Sequence, residues 1–246
     1  MNQKKPIFHL PETESTNQSL RLWANTRDLP DLSMLWTDYQ TCGRGQTGNA
    51  WESEPGMNLL CSILFYPAHL PANQSFAISE IASLSVKYTL DPYVSGLTIK
   101  WPNDIYYQHK KICGILIEND LSEGIVSRSV IGLGINLNQK AFNNEAPNAV
   151  SLAMITGMIY DREELYNQLH TNFKRLSDEL NDTGIDSIHQ KYIASLYRRD
   201  GFHAYQDLSG CFEARIHDIE PSGHIILQRR NHTLSRYGFK EVTSKL

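Results

Sequence analysis

The chain has 246 residues, 41% of them hydrophobic, with 23 Lys and Arg against 27 Asp and Glu for a net charge of −4. That is enough for one large domain, or a medium domain with a small appendage, and the composition is far from that of a disordered chain. No run of Lys or Arg gives a nucleic-acid footprint or a basic membrane helix, no apolar stretch reaches the length of a membrane span, and residues 1–11 lack the apolar run of a signal peptide. Cys42, Cys61, Cys113 and Cys211 form no CxxC pair and nine scattered His show no ligand spacing, so free thiols in a reducing cytosol are expected, and no metal site.

Taken in order, Ser15-Thr16-Asn17 supplies helix-capping residues ahead of Leu20, Trp23 and Ala24 at helical spacing. Hydroxyls and N–H groups at such a terminus can hold a polar ligand group. Leu32 to Tyr39 reads as a strand. The segment from Gln40 to Trp51 satisfies G-x-G-x-x-G at Gly43, Gly45 and Gly48, yet Pro55 and Gly56 interrupt the next segment and no helical stripe opens, so it is not a dinucleotide fingerprint. It is a glycine-rich loop between strands, able to form an anion-binding concavity with Arg44 as a bidentate grip. Asn58 to Tyr66 is a buried strand, and Ala77, Ile81, Leu84 and Tyr88 mark a packed helix.

Leu97, Ile99 and Trp101 alternate with Thr98 and Lys100, so Lys100 faces away from the apolar side of a short strand that Pro102 ends. Asn103 and Asp104 give a turn, Ile105-Tyr106-Tyr107 restarts a strand, and after a turn near His109-Lys110 the run Ile112 to Glu118 continues the meander with Gly114 inside it. In the next strand, Val130 to Leu137, Gly132 and Gly134 leave one face bare, with Asn136 on the same parity. A bare face near Lys100 leaves room for a flat ligand. Residues 139–150 read as a loop. Asp161 with Glu164 starts a helix striped by Leu165, Leu169, Phe173, Leu176 and Leu180, Gly184 ends it, and Ile185, Ile188, Tyr192 and Leu196 make another. After Arg198-Arg199-Asp200-Gly201, short strands alternate with turns, as in a small all-β barrel. Its arginines are interspersed with Asp and Glu and read as solvated strand faces.

Four segments, in this order, resemble the catalytic domain of the biotin–protein ligases: Ser15-Thr16-Asn17, Gln40 through Trp51, Lys100 through Asp104, and Lys111 through Glu118 continuing into Gly132-Leu133-Gly134-Ile135-Asn136. The C-terminal segment resembles that family's small SH3-like domain. The expected fold is α+β: a mixed, mostly antiparallel sheet with packed helices, of the class II synthetase-like kind, over residues 1–197, plus a C-terminal SH3-like β-barrel over 198–246. The Lys-Trp-Pro-Asn-Asp string and the Gly-Arg-Gly loop favour the biotin branch over the lipoate–protein ligases. Lipoate or other acyl transfer on the same scaffold, or a non-catalytic biotin-binding module, remain the alternatives.

The resemblance implies attack of the biotin carboxylate on the α-phosphorus of ATP, giving biotinoyl-AMP and pyrophosphate, then transfer to a lysine of a biotin carboxyl carrier domain. It places Lys100 between the biotin carboxylate and the α-phosphate, with Arg44 as the second catalytic cation. Ser15, Thr16, Asn17, Gln40, Gly43, Arg44, Gly45, Gln46, Lys100, Gly114 and Ile115 are the implied biotin contacts. Arg44, Trp51, Asn58, Lys100, Asn103, Lys111 and Asn136 are the implied ATP contacts. Biotin and ATP are substrates, Mg²⁺ accompanies ATP, and its carboxylate ligands are not assigned. The implied setting is cytoplasmic, away from membranes, and an exposed β edge could pair across a two-fold axis to give a homodimer.

Two departures from the family pattern stand out. Gln46 replaces the second arginine of the usual Gly-Arg-Gly-Arg loop, from which weaker retention of the acyl-adenylate is expected. Only fourteen residues precede Ser15, too few for the helix-turn-helix module that some members carry, so no DNA-binding repressor function is expected.

Overall fold

Alternating apolar and polar residues, followed strand by strand, assemble one seven-stranded sheet in the computed structural model, which describes residues 6–45, 50–143 and 148–245. The chain runs β1 (Ile7–Thr13), α1 (Thr16–Thr26), β2 (Met34–Gln40), β3 (Leu59–Phe65), α2 (Phe76–Leu90), β4 (Leu97–Lys100), β5 (Asp104–Tyr107), β6 (Lys110–Ser122) and β7 (Ile125–Ile135). Helices α3 (Leu152–Thr156), α4 (Arg162–Thr183) and α5 (Ile185–Ala194) follow. The sheet order is β1-β2-β3-β7-β6-β5-β4. Only β1 and β2 are parallel; the other neighbours are antiparallel, which is the mixed, mostly antiparallel sheet expected from the sequence.

Strand β1 escapes the sequence pattern because Pro11 breaks its alternation. Its edge position explains the tolerance: Leu10 pairs with Thr37 and Glu12 with Tyr39, and Pro11, with no N–H to give, sits between them. Helix α3 is too short to show periodicity. It is defined by its ends, where Ser151 Oγ accepts from Met154 N at 3.1 Å and Gly157 closes it at φ 77°.

The two faces of the sheet do different work. One carries Cys61, Ile63, Ile131, Leu133, Ile135 and Cys113 into the main core against α2, α4 and α5. Helix α4 begins where Asp161 Oδ1 accepts from Glu163 N at 2.7 Å, and its Leu165, Leu169, Phe173 and Leu176 are buried. On the opposite face α1 buries Leu20 against Leu35, Leu64 and Val130, each such side chain contributing about 1.5–3 kcal/mol. That leaves the N-terminus of α1 beside a stretch of β3, β7 and β6 that no helix covers.

A second sheet, ordered β11-β10-β9-β8-β12, is built from β8 (His203–Asp207), β9 (Gly210–Ile219), β10 (Ile225–Arg229), β11 (Leu234–Tyr237) and β12 (Thr243–Ser244). It is joined to the first at the Trp101 turn. Trp101 Nε1 donates to Gly223 O at 2.9 Å, and Phe239 packs against both Trp101 and Phe76. A Cβ on Gly223 would lie 2.6 Å from Phe76 Cδ2, so only glycine fits there. Three of the arginines in this sheet are ion-paired, Arg229 with Asp207, Arg230 with Glu213 and Arg236 with Glu220, consistent with solvated faces. No helix among the described residues is long and apolar enough to cross a membrane.

Candidate active site

The stretch of sheet that no helix covers is floored by glycine. Across the ladder Lys100 pairs with Asp104, Asp104 with Gly114, Gly114 with Gly134 and Gly134 with Leu60; one step along, Leu116 pairs with Gly132 and Gly132 with Ser62. Partners in register share a face, so three glycines remove three side chains from one patch. A cavity of about 150 Å³ lies above it, lined by Ser15, Thr16, Asn17, Gln40, Arg44, Gly45, Trp51, Asp104, Lys111, Gly114, Ile115, Gly132 and Gly134, among others. The bareness is needed: a Cβ on Gly134 would lie 2.5 Å from Trp51 Cε2, one on Gly114 2.8 Å from Trp51 Cζ3, and one on Gly132 2.5 Å from Asn17 Oδ1.

Trp51 reaches this floor because the glycine-rich segment folds back on itself. Arg44 bridges Ala50, and Trp51 N donates to Gly43 O at 2.9 Å. Gly43 is required by that approach, since its Cβ would sit 2.6 Å from Trp51 O. Gln46 lies outside the described residues.

One end of the cavity is a hydroxyl and amide network. Gln40 Oε1 accepts from Thr16 N at 2.8 Å and from Thr16 Oγ1 at 3.0 Å. Ser62 Oγ lies 2.8 Å from Thr16 Oγ1 and 2.6 Å from Asn17 Oδ1. An amide oxygen only accepts and the Thr16 hydroxyl proton goes to Gln40, so the single Ser62 proton is shared between Asn17 Oδ1 and Thr16 Oγ1. Asn17 Nδ2 donates in turn to Glu118 Oε2 at 2.8 Å. Ser15, Thr16 and Asn17 are all buried. With Gln40 Oε1 committed to Thr16, its amide nitrogen is the group left to donate into the cavity.

The other end carries Lys111, and a second cation, Arg44, lines the Asn17 side. Lys111 Nζ is 2.6 Å from Asp104 Oδ1 and 5.7 Å from the centroid of the Trp51 ring. Its backbone is clamped on both sides, N donating to Asn148 O at 2.7 Å and O accepting from Val150 N at 2.9 Å. Arg44 Nη2 stands 3.6 Å from Glu118 Oε2, so both guanidinium and ammonium face the cavity with one carboxylate each. Cations lining one cavity are suited to bind a carboxylate and a phosphate.

The structure does not bring Lys100 into this cavity. Its ammonium donates to Tyr106 Oη at 3.1 Å and lies 4.8 Å over that ring, whose hydroxyl burial pushes up to about 12. It lines a neighbouring cavity of about 330 Å³ against the second sheet, with Asp104 common to both. The alternation correctly set the face of Lys100; its distance across the sheet could not be read from its own strand. The lysine inside is Lys111, whose strand is shifted by a bulge between Ile105 and Tyr106.

Two further residues of the expected site hold structural contacts. Asn103 is buried and donates to Ile115 O, bracing the turn against β6 instead of facing the cavity. Asn58 is fully buried, with Oδ1 accepting from Leu137 N at 2.9 Å and Nδ2 donating to Ser53 Oγ at 3.0 Å and Gln139 Oε1 at 2.6 Å. Asn136 differs: its Oδ1 is buried without a partner, as is Trp51 Nε1. The sequence pointed to neither Ser62 nor Glu118. A lone hydroxyl within the buried strand Leu59–Phe65 was the available signal for Ser62. Burial pushes the thiols of Cys61 and Cys113 up, away from nucleophilic use. No group of three or more His, Cys, Asp or Glu among the described residues comes together as a metal cradle.

Comparison with known proteins converges on one group. Residues 10–136 match the model of the biotin/lipoate A/B protein ligase family. The bifunctional ligase/repressor BirA of Bacillus spizizenii is 28% identical over 237 residues, covering 94% of this chain and 70% of that one. The biotin–[acetyl-CoA-carboxylase] ligase of Paracoccus denitrificans is 29% identical over 196 residues, covering 77% of this chain and 80% of that one. The structure of the biotin protein ligase from Aquifex aeolicus in complex with biotin and ATP superimposes with a TM-score of 0.80 at 24% identity, covering 98% and 99% of the two chains, a likeness of fold. With the matched segment spanning just over half of its length and containing the glycine floor, the Thr16–Gln40 network and Lys111, the chain belongs to the biotin/lipoate A/B protein ligase family.

Proposed function

We propose that the chain is an ATP-dependent biotin–protein ligase. The observation that carries this reading is the order of groups along the cavity: a hydrogen-bonding end at Thr16 and Gln40, a bare glycine floor, and a lysine, Lys111, beyond it, with Arg44 on the Glu118 side. Biotin has that order of groups, with a ureido ring, an apolar chain and a carboxylate. The ureido oxygen would accept from the Gln40 amide, and the carboxylate would reach Lys111.

In the first step a carboxylate oxygen of biotin attacks the α-phosphorus of MgATP. The bond from that phosphorus to the β-bridging oxygen breaks, and pyrophosphate leaves with biotinoyl-AMP remaining. Negative charge gathers between carboxylate and phosphate, where Lys111 and Arg44 stabilise it without moving. In the second step a neutral lysine amine of a biotin carboxyl carrier domain attacks the acyl carbon, the acyl–phosphate bond breaks, AMP leaves and the amine loses a proton. Neither step needs a protein nucleophile. Mg²⁺ enters as part of the MgATP substrate and neutralises its phosphates.

We assign catalysis to residues 1–197 and infer a separate C-terminal β unit over 198–246, whose contact at Trp101 and Gly223 supports the wall of the second cavity.

Intact mass spectrometry of an apo carrier domain incubated with the protein, biotin and MgATP tests the reading. One biotinoyl group added to the carrier, dependent on ATP, is the expected result. Tight biotin binding with no mass gain on a verified carrier would make the chain a binding module, and a gain with lipoate alone would place it in the other branch.

A further inference from the structure

Gln139 lies outside the cavity, fully buried, yet its side chain reaches the segment that carries Trp51. Its Oε1 accepts from Asn58 Nδ2 at 2.6 Å and from Glu54 N at 3.0 Å, while its Nε2 donates to Ala141 O at 2.8 Å. Asn58 completes the lock through Leu137 N and Ser53 Oγ. Residues 53 and 54 follow Trp51, and residues 137 and 139 follow Asn136. Two buried amides therefore tie the chain just after Trp51 to the chain just after Asn136.

Those two residues carry Trp51 Nε1 and Asn136 Oδ1, a donor and an acceptor that are both buried and both unpartnered. A buried polar atom without a partner is costly and calls for an explanation. One donor and one acceptor are what the hydrogen-bonding edge of a purine, with its ring nitrogen and exocyclic amine, can take. The Thr16–Gln40 end is built from α1, β2 and Ser62 and takes no hydrogen bond from this lock.

We propose that Gln139 is a positioning residue for the nucleotide half of the reaction: its buried side-chain oxygen holds the Trp51 segment against the end of β7, and so sets ATP affinity without touching ATP. The proposal rests on the ligase reading for its substrate. Gln139→Met keeps the volume and removes both hydrogen-bonding groups. Glu54→Pro removes only the N–H that Gln139 accepts, at an exposed position already followed by Pro55, and leaves the buried amides in place.

Both variants are expected to raise the KM for ATP at least about fivefold while the KM for biotin stays within about twofold, the split that separates one wall of the site from the other. A parallel rise in both KM values, or a fall in kcat with both unchanged, would overturn the proposal. Acrylamide quenching of Trp51, taken as the difference from Trp51→Phe, gives a readout independent of turnover: quenching should increase in both variants, and unchanged quenching sinks the idea. A wild-type protein that transfers no biotin would fail the ligase reading instead, and the quenching comparison would still decide whether Gln139 holds Trp51.

Discussion

Lys111 and Asp104 meet at 2.6 Å across the ladder between β5 and β6, and Asp104 is also the ladder partner of both Lys100 and Gly114. The two lysines thus flank one carboxylate, with Lys111 on the cavity side and Lys100 on the side of the second sheet. Lys111→Ala should lower pyrophosphate release in the first step by about 10²–10³-fold, the usual cost of one preorganised charge donor. Lys100→Ala should cost about tenfold or less. A larger loss for Lys100 than for Lys111 would reverse the assignment.

The glycine floor makes a steric prediction. In Gly134→Ala the new methyl would meet Trp51 Cε2 at 2.5 Å, so the indole must leave its seat. Turnover should fall on the order of 10²-fold through misplacement alone, while the thermal unfolding midpoint stays near that of the wild type. Steady-state kinetics beside a thermal melt check both halves; an equally large loss of stability would mean that the glycine serves folding instead.

Ser62→Ala removes the only hydroxyl of the buried strand β3 and leaves Asn17 Oδ1 without its donor. An unsatisfied buried acceptor costs about 1–3 kcal/mol, which should appear as a lower denaturant midpoint. Because Asn17 and Thr16 line the cavity, biotin affinity measured by calorimetry should weaken too. Unchanged affinity would detach this network from the ligand.

How much of this was open to sequence reasoning depends on how far apart the partners lie. Gly132 and Gly134 belong to one strand, so period-two alternation was enough to show a bare face. The cap at Asp161 and the stripe of α4 are local as well. Lys111 was visible as part of a motif, but its place in the cavity depends on strand order and on the bulge between Ile105 and Tyr106. Asn58 and Gln139 are 81 positions apart, and two amides scattered in a sequence carry no sign that they will meet. Strand β1 was hidden by Pro11, since the edge position that makes proline harmless is a property of the assembled sheet.

A cluster between the two sheets should respond to pH. His189 Nδ1 on α5 is 2.7 Å from the buried carboxylate of Glu80 on α2, and its Nε2 is 3.5 Å from Asp218 on β9. The hydrogen bond to Glu80 raises the His189 pKa above 6.5, and burial raises that of Glu80 above 4.5. Both groups hold a proton more tightly folded than unfolded, so folding takes up protons and stability falls as pH rises. The share from His189 is fully present below 6.5 and is lost as pH climbs through its raised value; the share from Glu80 is present below 4.5 and lost in the same sense. Chemical denaturation in steps upward from pH 6.5 should show the decline, and His189→Gln should flatten it. A flat wild-type profile would mean that the cluster binds its protons equally well in the unfolded chain.

The three glycines of the floor have a consequence for discrimination. A wall of side chains adapts to its guest by changing rotamer; a wall of peptide planes has no rotamers to change. The surface formed by Gly114, Gly132 and Gly134 is fixed once the ladder pairs, so its shape is as rigid as the strand register itself. Selectivity for a flat, narrow guest is in that sense written into the backbone, and this floor can be raised or lowered only by shifting strands, while the side chains around it repack.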